Sequence, residues 1–496
     1  MAIPKSKKRR LLIYFLLFLI VVGFVAAFGW YKFLREEPEQ KFANEGERFK
    51  YGSIGAEFDR GIPYWIWLVL PRIFPDLMPG PGGYKSFGLV WEEGHEMPSG
   101  FTKRTIGFPR VANNCAICHT GTWRTKPDEV PHVVAAAPGN TTDVQNLIRF
   151  LSKAAKDPRF NADTLLGEID QQTDLGWVDR AIYRFILIPF TKRALVEQEH
   201  QFDWMNRPHW PQWGPGRDDP MNLTKYFMTS MPVDETTGQA DFPSVWNLKS
   251  RKGDKVFLNW SCDTPAVRSV LMDSALGLGA APVPGNRLSQ LHWEWGARDW
   301  FLKRMEQLDD TLSNLPPPKY PFPIDATKAS AGQPIYERLC ADCHEPGRPR
   351  TNTPIPIEEI KTDRERMDTW SQAAADEANR RVKEMGIVRP DMVKKFGYCS
   401  PPLDGLWLRA PYLHNGSVPN LRELLEPEEK RSKSFYRGYD VYDPENVGFV
   451  VTGAEAERVG WRLDVTERGN GNSGHTYGTD LPPEDKAALL EYLKQL

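Results

Sequence analysis

Two short stretches, Cys115-Ala-Ile-Cys118-His119 and Cys340-Ala-Asp-Cys343-His344, decide how this chain folds, because both have the pattern C-x-x-C-H. Cysteines three positions apart on a helical turn lie on one side and can each form a thioether to a haem edge. The adjacent histidine can then supply a nitrogen to the iron. Chance would place only about 0.001 such motifs in a chain of this composition. The motifs therefore predict two covalently bound haem c groups, with His119 and His344 as proximal ligands.

Two other chemistries also use a C-x-x-C pair. A thiol redox pair does not need the following histidine, and zinc would need a second ligand pair at finger spacing, which follows neither motif. The two remaining thiols are Cys262 and Cys399. Outside the cytoplasm they could form a disulfide. Two separate buried thiols are the slightly preferred interpretation, and pairing stays open.

The first 31 residues predict a membrane anchor. A basic cluster before Leu11 precedes an uncharged run over 11–31. At 1.5 Å per residue the run spans roughly 30 Å, the thickness of a hydrocarbon core. The basic residues 1–10 should stay in the cytoplasm of a bacterial cell, which places the rest of the chain in the periplasm. The alternative is a cleaved signal peptide, with Val25-Ala26-Ala27 as the cleavage site.

The composition describes a globular, exported body. Hydrophobic residues make up 41% and charged residues 26%, and the formal net charge is −2, which argues against a nucleic-acid partner. No strand-like alternation is sustained, so the fold is expected to be mainly α. We expect a tether and N-terminal extension over 32–95, a first haem domain with insertions over 96–320, and a second haem domain over 321–496. A proline-rich linker at 315–323 marks the division.

Three local patterns give further expectations. The apolar stretches 61–78 and 181–190 could be membrane-surface elements or core, and core is favoured. Thr142 and Gln145 have capping-box spacing, which predicts a helix beginning at Thr142. Pro482-Pro483 followed by an apolar face predicts an amphipathic helix at the C-terminus.

One long stretch resembles a known family. Pro401-Pro-Leu-Asp-Gly-Leu-Trp-Leu-Arg-Ala-Pro-Tyr-Leu-His-Asn-Gly-Ser-Val-Pro-Asn-Leu421 is similar to the signature of dihaem cytochrome c peroxidases and MauG-type proteins. Shorter stretches resemble the branch that contains the dihaem rubber oxygenase: Asp241–Trp246, Phe257–Trp260, Pro316–Asp325 and Gly469–His475. The resemblance covers roughly residues 100 to 496 and is most specific in the last third.

The resemblance implies two cytochrome c-like domains whose haems are close enough to exchange electrons. It also implies that His414 is the second axial ligand of the haem on Cys340 and Cys343. The other candidates after His344 are Met367, Met385, Met392 and His475, and His475 is the runner-up. Calcium is known in the family, but no ligand cluster in the sequence identifies a site. The chain departs from the peroxidases because no Met follows His414. It departs from the closer branch where Trp260-Ser-Cys262-Asp-Thr stands, so a shared substrate does not follow.

The predicted function is an oxidoreductase that activates peroxide or dioxygen at the first haem, with the second haem as electron-transfer centre. The alternatives are a non-catalytic membrane-tethered electron carrier and a haem-based sensor or assembly factor. Trp246 and Trp260 are expected beside or between the haems, although core packing would also explain them. The first haem should lack a strong distal protein ligand; the other candidates for that position are His132, Met228 and Met231. Expected partners are the membrane, a redox partner protein or quinol-linked electron donor or acceptor, and a small-molecule oxidant.

Overall fold

The fold is known from a computed structural model that describes residues 5–229, 231–253 and 256–496. About half of this chain is helical, in mostly short helices that suit its many Pro and Gly residues. The α-helices are α1 Lys5–Gly29, α2 Glu45–Tyr51, α3 Glu57–Arg60, α4 Tyr64–Ile73, α5 Val144–Lys156, α6 Ala162–Ile169, α7 Trp177–Ile182, α8 Ile188–Phe202, α9 Pro220–Leu223, α10 Val267–Ala275, α11 Arg287–His292, α12 Arg298–Asn314, α13 Ala326–Leu339, α14 Ala341–His344, α15 Ile357–Ile360, α16 Glu365–Thr369, α17 Gln372–Glu384, α18 Leu421–Leu424, α19 Ala454–Val459 and α20 Pro483–Leu493.

The strands are short and form small antiparallel sheets, which the sequence pattern did not predict. One sheet has three strands in the order β1-β3-β2, and the others are pairs: β4-β5, β6-β7, β8-β9, β10-β13 and β11-β12. Their bounds are β1 Ile62–Pro63, β2 Phe101–Ile106, β3 Phe108–Asn113, β4 Thr120–Trp123, β5 His132–Ala135, β6 Arg217–Asp218, β7 Ala240–Asp241, β8 Pro354–Pro356, β9 Gly397–Cys399, β10 Ser434–Arg437, β11 Tyr442–Asp443, β12 Gly448–Phe449 and β13 Trp461–Asp464.

The N-terminal helix is long and apolar enough to cross a membrane, and its apolar side chains are exposed. Helix α1 continues through a π-helical turn at Trp30–Leu34. A helix of this kind at the N-terminus is what either a membrane anchor or a signal sequence would form.

Two large apolar clusters build the body. One joins α4, α5, α6 and α8, and the other joins α10, α12, α13 and α20 around the first cysteine motif. Helix α20 starts directly after Pro482, as the sequence predicts, and packs closely on α13. The crossing requires a glycine, because a Cβ on Gly332 would collide with the backbone carbonyl of Ala488.

Two local expectations need correction. Helix α5 starts at Val144, because the Asp143 side chain caps it by accepting from the Asn146 amide at 3.0 Å; the prediction of Thr142 was wrong by two residues. The core assignment holds for 61–78, where α4 buries Ile66 and Trp67. In 181–190, however, Phe185 and Phe190 are exposed, so that assignment is wrong for one face.

The preference for two separate thiols is also wrong, since Cys262 and Cys399 form a disulfide with their Cα atoms 5.1 Å apart. The two residues are 137 positions apart. Their distance depends on the tertiary fold, because β9 has to be brought beside Trp260, whose carbonyl accepts from the Cys399 amide at 3.0 Å.

Candidate haem-binding site

Both cysteine motifs open onto one cavity of about 460 Å³, whose apolar lining comes mostly from the cluster of α10, α12, α13 and α20. Among the described residues, its wall contains the four motif cysteines and four histidines: His119, His344, His414 and His475. None of the four cysteines is in a disulfide. The structure therefore brings together every thiol and histidine that the sequence assigns to the two haems.

The first motif is shaped by a capped turn. Cys115–Ile117 form one turn of 3-10 helix, and the Asn114 side chain accepts from the Ala116 amide at 2.9 Å. The side-chain amide nitrogen of Asn114 also donates to the carbonyls of Lys50 and Gly52, at 3.2 and 2.8 Å. The second motif follows α13 and lies on the short helix α14. Both motifs thus have the local turn that two thioethers to one ring require.

The histidines of the two motifs are held in the same way. His119 donates from Nδ1 to the Pro243 carbonyl at 2.9 Å, and His344 donates from Nδ1 to the Pro401 carbonyl at 2.8 Å. A carbonyl can only accept, so Nδ1 carries the proton and Nε2 keeps its lone pair for a metal. Burial lowers the pKa of His119 to about 4 and lowers the pKa of His344, which keeps both rings neutral.

His475 faces His344 across the second part of the cavity. The two ring centroids are 6.3 Å apart. Two imidazoles on opposite sides of one metal, with metal–nitrogen bonds of about 2 Å, would have their centroids roughly 6 Å apart. The Nδ1 atom of His475 is buried and without a hydrogen-bond partner, and burial lowers the pKa of this ring to about 3. This geometry fits a pair of axial ligands.

The loop before His475 is built to hold that position. The His475 amide donates to the Ile360 carbonyl at 2.8 Å, and the buried Arg431 donates to the Gly474 carbonyl at 2.8 Å. Gly474 has φ +73°, and a Cβ there would collide with the Ile360 carbonyl. The loop that carries His475 is therefore fixed to the body and is not a loose surface loop.

His414 is also buried and borders the cavity. Its ring stacks on Tyr398 with centroids 3.9 Å apart, and its Nε2 atom has no hydrogen-bond partner. Burial lowers its pKa well below the usual histidine value. Its assignment as an axial ligand remains a prediction, and His475 is its structural competitor.

Part of the cavity wall is apolar. Helix α10 supplies Val267, Val270 and Leu271, and the turn after it supplies Leu278. Of the other candidates for a distal ligand, only Met228 borders the cavity. Met231 packs on the cluster of Trp370, and the half-exposed His132 stacks on Trp123 with centroids 4.3 Å apart.

The two predicted tryptophans have different surroundings. Trp260 is partly buried in the cavity wall and donates from Nε1 to the Asp241 carbonyl at 2.8 Å. Trp246 is fully buried outside that wall, and its Nε1 donates to the Asp404 carbonyl at 2.9 Å. Trp246 lies three residues after Pro243, and Asp404 lies three residues after Pro401. The Trp246 side chain therefore links the two loops whose prolines hold the proximal histidines.

Three arginines facing the cavity test whether haem fits this site: the buried Arg251 and Arg366 and the partly buried Arg409. Each has at least one buried guanidinium nitrogen without a hydrogen-bond partner, although Arg409 also pairs with Asp404 at 3.5 Å. Buried cations of this kind need an anionic partner, and a guanidinium matches a carboxylate well. The two propionates of a haem would supply such carboxylates, so the donor set fits the group. Sequence reasoning missed these arginines, although Arg409 lies in the quoted family-like stretch.

Two carboxyl groups also line the cavity, those of Asp218 and Asp273. Burial raises the pKa of Asp218, which borders the cavity, to about 7, and it raises the pKa of Asp273, beside Arg389, to about 7. A carboxyl group with a pKa near neutrality can take up or release a proton at working pH.

The comparisons with known proteins agree with a cytochrome in the last third of the chain. Residues 397–436 match a family described as RoxA-like, cytochrome c-like; the match includes Pro401, Arg409 and His414. A cytochrome c-like domain implies haem c. The match supports the resemblance to the rubber-oxygenase branch and says nothing of the peroxidase and MauG-type proteins.

Two proteins of Sinorhizobium fredii (strain NBRC 101917 / NGR234) are similar to parts of the chain. The uncharacterized protein y4iM is 30% identical over 210 residues, which are 36% of this chain and 48% of that protein. The uncharacterized protein y4iJ is 37% identical over 123 residues, which are 23% of this chain and 19% of that protein. The chain thus spans less than half the length of either relative.

Proposed function

We propose that this chain is an exported, membrane-anchored dihaem c-type cytochrome that activates peroxide or dioxygen at its first haem and moves electrons through its second. One observation carries the proposal: two equivalent proximal sites share one cavity, and among the described residues only His344 has a second histidine ring beside it, that of His475 with centroids 6.3 Å apart. An asymmetry of this kind separates a reactive iron from an electron-transfer iron.

The residues that would hold each haem follow from the geometry. Cys115, Cys118 and His119 would hold the first, and Cys340, Cys343 and His344 the second, with His475 as its other axial ligand. Haem bound there would supply a one-electron couple and, where a coordination position stays open, a place for a small oxidant. The arginines at 251, 366 and 409 would bind the propionates.

Other residues of the chain have separate roles around the two haems. The apolar side chains of α10 exclude bulk water from the space near His119, and Asp218 can hold a proton at neutral pH. Trp246 joins the two proximal loops through its bond to the Asp404 carbonyl, which provides a short covalent and hydrogen-bonded route between His119 and His344. The periplasmic location, the redox partner protein or quinol-linked donor, and the small oxidant belong to the same proposal.

Calcium is proposed only on the resemblance. Among the described residues, Glu47, Glu92 and His95 form the one cluster with metal-ligand spacing, but Lys50 already forms ion pairs with both glutamates. That cluster therefore does not support a cation site.

EPR and optical spectra of the oxidised and half-reduced protein test the proposal, followed by addition of peroxide, carbon monoxide or oxygen. We expect one low-spin haem that does not respond and one haem whose spectrum changes with the added ligand. Two low-spin haems that no added ligand perturbs would instead identify a non-catalytic electron carrier.

A further inference from the structure

Large apolar side chains are exposed on both sides of the point where the N-terminal helix meets the body. Trp177, Phe185 and Phe190 lie on α7, α8 and the π-turn between them, and Trp177 and Phe185 are 84% and 73% exposed. Leu288 and Trp295 lie on α11 and the turn after it, and Trp295 is 80% exposed. We call these five side chains the flanking face. Apolar groups of this size that share one surface mark an interaction site.

The first half of the flanking face is tied to the end of the N-terminal helix. Lys32, in the last turn of that helix, donates to the Asp179 carboxylate at 2.5 Å. Asp179 lies on α7, two residues after Trp177. The next residue, Phe33, packs edge-to-face on Phe108, and its carbonyl accepts from Arg110 at 3.0 Å. The start of α7 is therefore held beside residues 32 and 33.

The second half is tied to the same segment. Glu36 accepts from His292 at 2.8 Å and pairs with Arg104 at 2.7 Å. His292 ends α11, one helical turn after Leu288 and three residues before Trp295. Its ring also stacks on Phe58 with centroids 3.6 Å apart. Helix α11 and the turn after it, which carry Leu288 and Trp295, are thus held beside residue 36 through His292.

A hairpin tip fixes the segment between these two ties. Gly107, between β2 and β3, has φ +72° and donates from its amide to the Arg35 carbonyl at 2.8 Å. A Cβ at this position would collide with the backbone of Lys32 and Phe33. Residues 32–36 are consequently packed against the body, and the position of the flanking face relative to the N-terminal helix is fixed.

We propose that the flanking face rests in the interface of the membrane that the N-terminal helix crosses, so that lipid is its partner. If Leu11–Tyr31 fills the hydrocarbon core, residues 32–36 lie at headgroup depth. Trp and Phe side chains held beside them enter the region that aromatic residues prefer, as an amphipathic helix does. The exposed Arg193 and Arg287, next to the face, can meet lipid phosphates.

This inference rests on the membrane anchoring in the proposed function and adds an orientation to it. With one helix across the bilayer and two segments on its surface, the body is held in one pose. The mouth of the haem cavity then has a constant distance from the membrane, which suits electron exchange with a membrane-bound donor.

Photo-crosslinking tests the inference with the full-length holoprotein. The protein is reconstituted in vesicles of phosphatidylethanolamine and phosphatidylglycerol that contain a lipid with a diazirine near the headgroup end of its acyl chain. Adducts are then mapped by mass spectrometry.

We expect adducts on the N-terminal helix and on residues 177–190 and 287–297. Adducts on the helix alone would overturn the lipid assignment and leave the anchor intact. Protein that does not float with the vesicles would overturn the anchor and, with it, the flanking face.

A double variant sharpens the result. Phe185→Glu with Phe190→Glu should abolish the adducts on 177–190 and keep those on the helix, with unchanged haem spectra showing an intact fold. Val459→Glu, at an exposed apolar position on α19, is the matched control and should leave all adducts in place. Adducts on 177–190 that persist in the double variant would contradict the proposal.

Discussion

At the scale of the residue, the proposed second haem would take its second axial ligand from one of two histidines, His414 or His475. His475→Ala should convert one low-spin ferric EPR signal to high-spin, because it removes the ring that lies 6.3 Å from His344. His414→Ala should leave that low-spin signal unchanged and should remove only the stacking on Tyr398. The family resemblance predicts the reverse pattern, so the pair of variants separates the two assignments.

A second residue-scale prediction concerns Trp246. Trp246→Phe keeps an aromatic ring in the core but removes the Nε1–H that donates to the Asp404 carbonyl. We expect slower electron transfer between the haems, with both haems retained, and a stability loss of about 1 kcal/mol. Flash-induced or stopped-flow reduction, followed at both haems, measures the rate. Trp407→Phe is the matched control, since this buried ring loses a similar bond, to the Pro318 carbonyl, and lies outside the cavity wall. Equal rates in Trp246→Phe and the unaltered protein would leave Trp246 as a core residue.

At the scale of the element, the disulfide ties the insertion before α10 to β9. Cys262→Ser with Cys399→Ser should lower the free energy of unfolding by about 2–4 kcal/mol, since the bond closes a long loop in the unfolded chain. Urea unfolding followed by circular dichroism measures the change. The haem spectra should persist, because neither cysteine belongs to a C-x-x-C-H motif. Unchanged stability would show that the pair contributes nothing in the folded protein.

The crossing of α13 and α20 gives another element-scale prediction. Gly332→Ala should destabilise the protein by about 1–3 kcal/mol, because the added methyl group collides with the Ala488 carbonyl and forces the helices apart. Gly167→Ala on α6 is the matched control. It lies in a helix with no atom close to its Cβ position, so it should be neutral or stabilise by about 0.5–1 kcal/mol. Thermal unfolding of the two variants compares them, and equal melting temperatures would contradict the close packing.

What the sequence could predict depends on how local each feature is. The C-x-x-C-H motifs, the apolar N-terminal helix and α20 are each encoded in one short stretch, and the structure has a matching element for each. The disulfide, the placement of His475 opposite His344 and the exposure of Phe185 depend on distant segments meeting. The bonds from Asn114 to the Gly52 carbonyl and from His119 to the Pro243 carbonyl join residues 62 and 124 positions apart, so no local sequence pattern predicts them.

At the scale of the whole molecule, the cavity that both motifs border should make folding depend on haem. If its 460 Å³ stayed dry and empty, the cost would be up to about 11 kcal/mol, at about 24 cal/mol per Å³. This is comparable to the whole stability of an ordinary domain, about 5–15 kcal/mol. Buried guanidinium nitrogens of Arg251 and Arg366 that lack a hydrogen-bond partner would add to the cost.

Cys340→Ser with Cys343→Ser should therefore give a chain that is protease-sensitive and poorly recovered, whereas the disulfide variant, Cys262→Ser with Cys399→Ser, should be recovered with both haems. Limited proteolysis and the haem-to-protein ratio of each purified variant are the measurements. Because the cavity borders both motifs, we expect Cys115→Ser with Cys118→Ser to behave in the same way as the other motif variant. A motif variant that lacks its haem but resists protease as well as the unaltered protein would show that the cavity is not filled, and the arginines not neutralised, by haem.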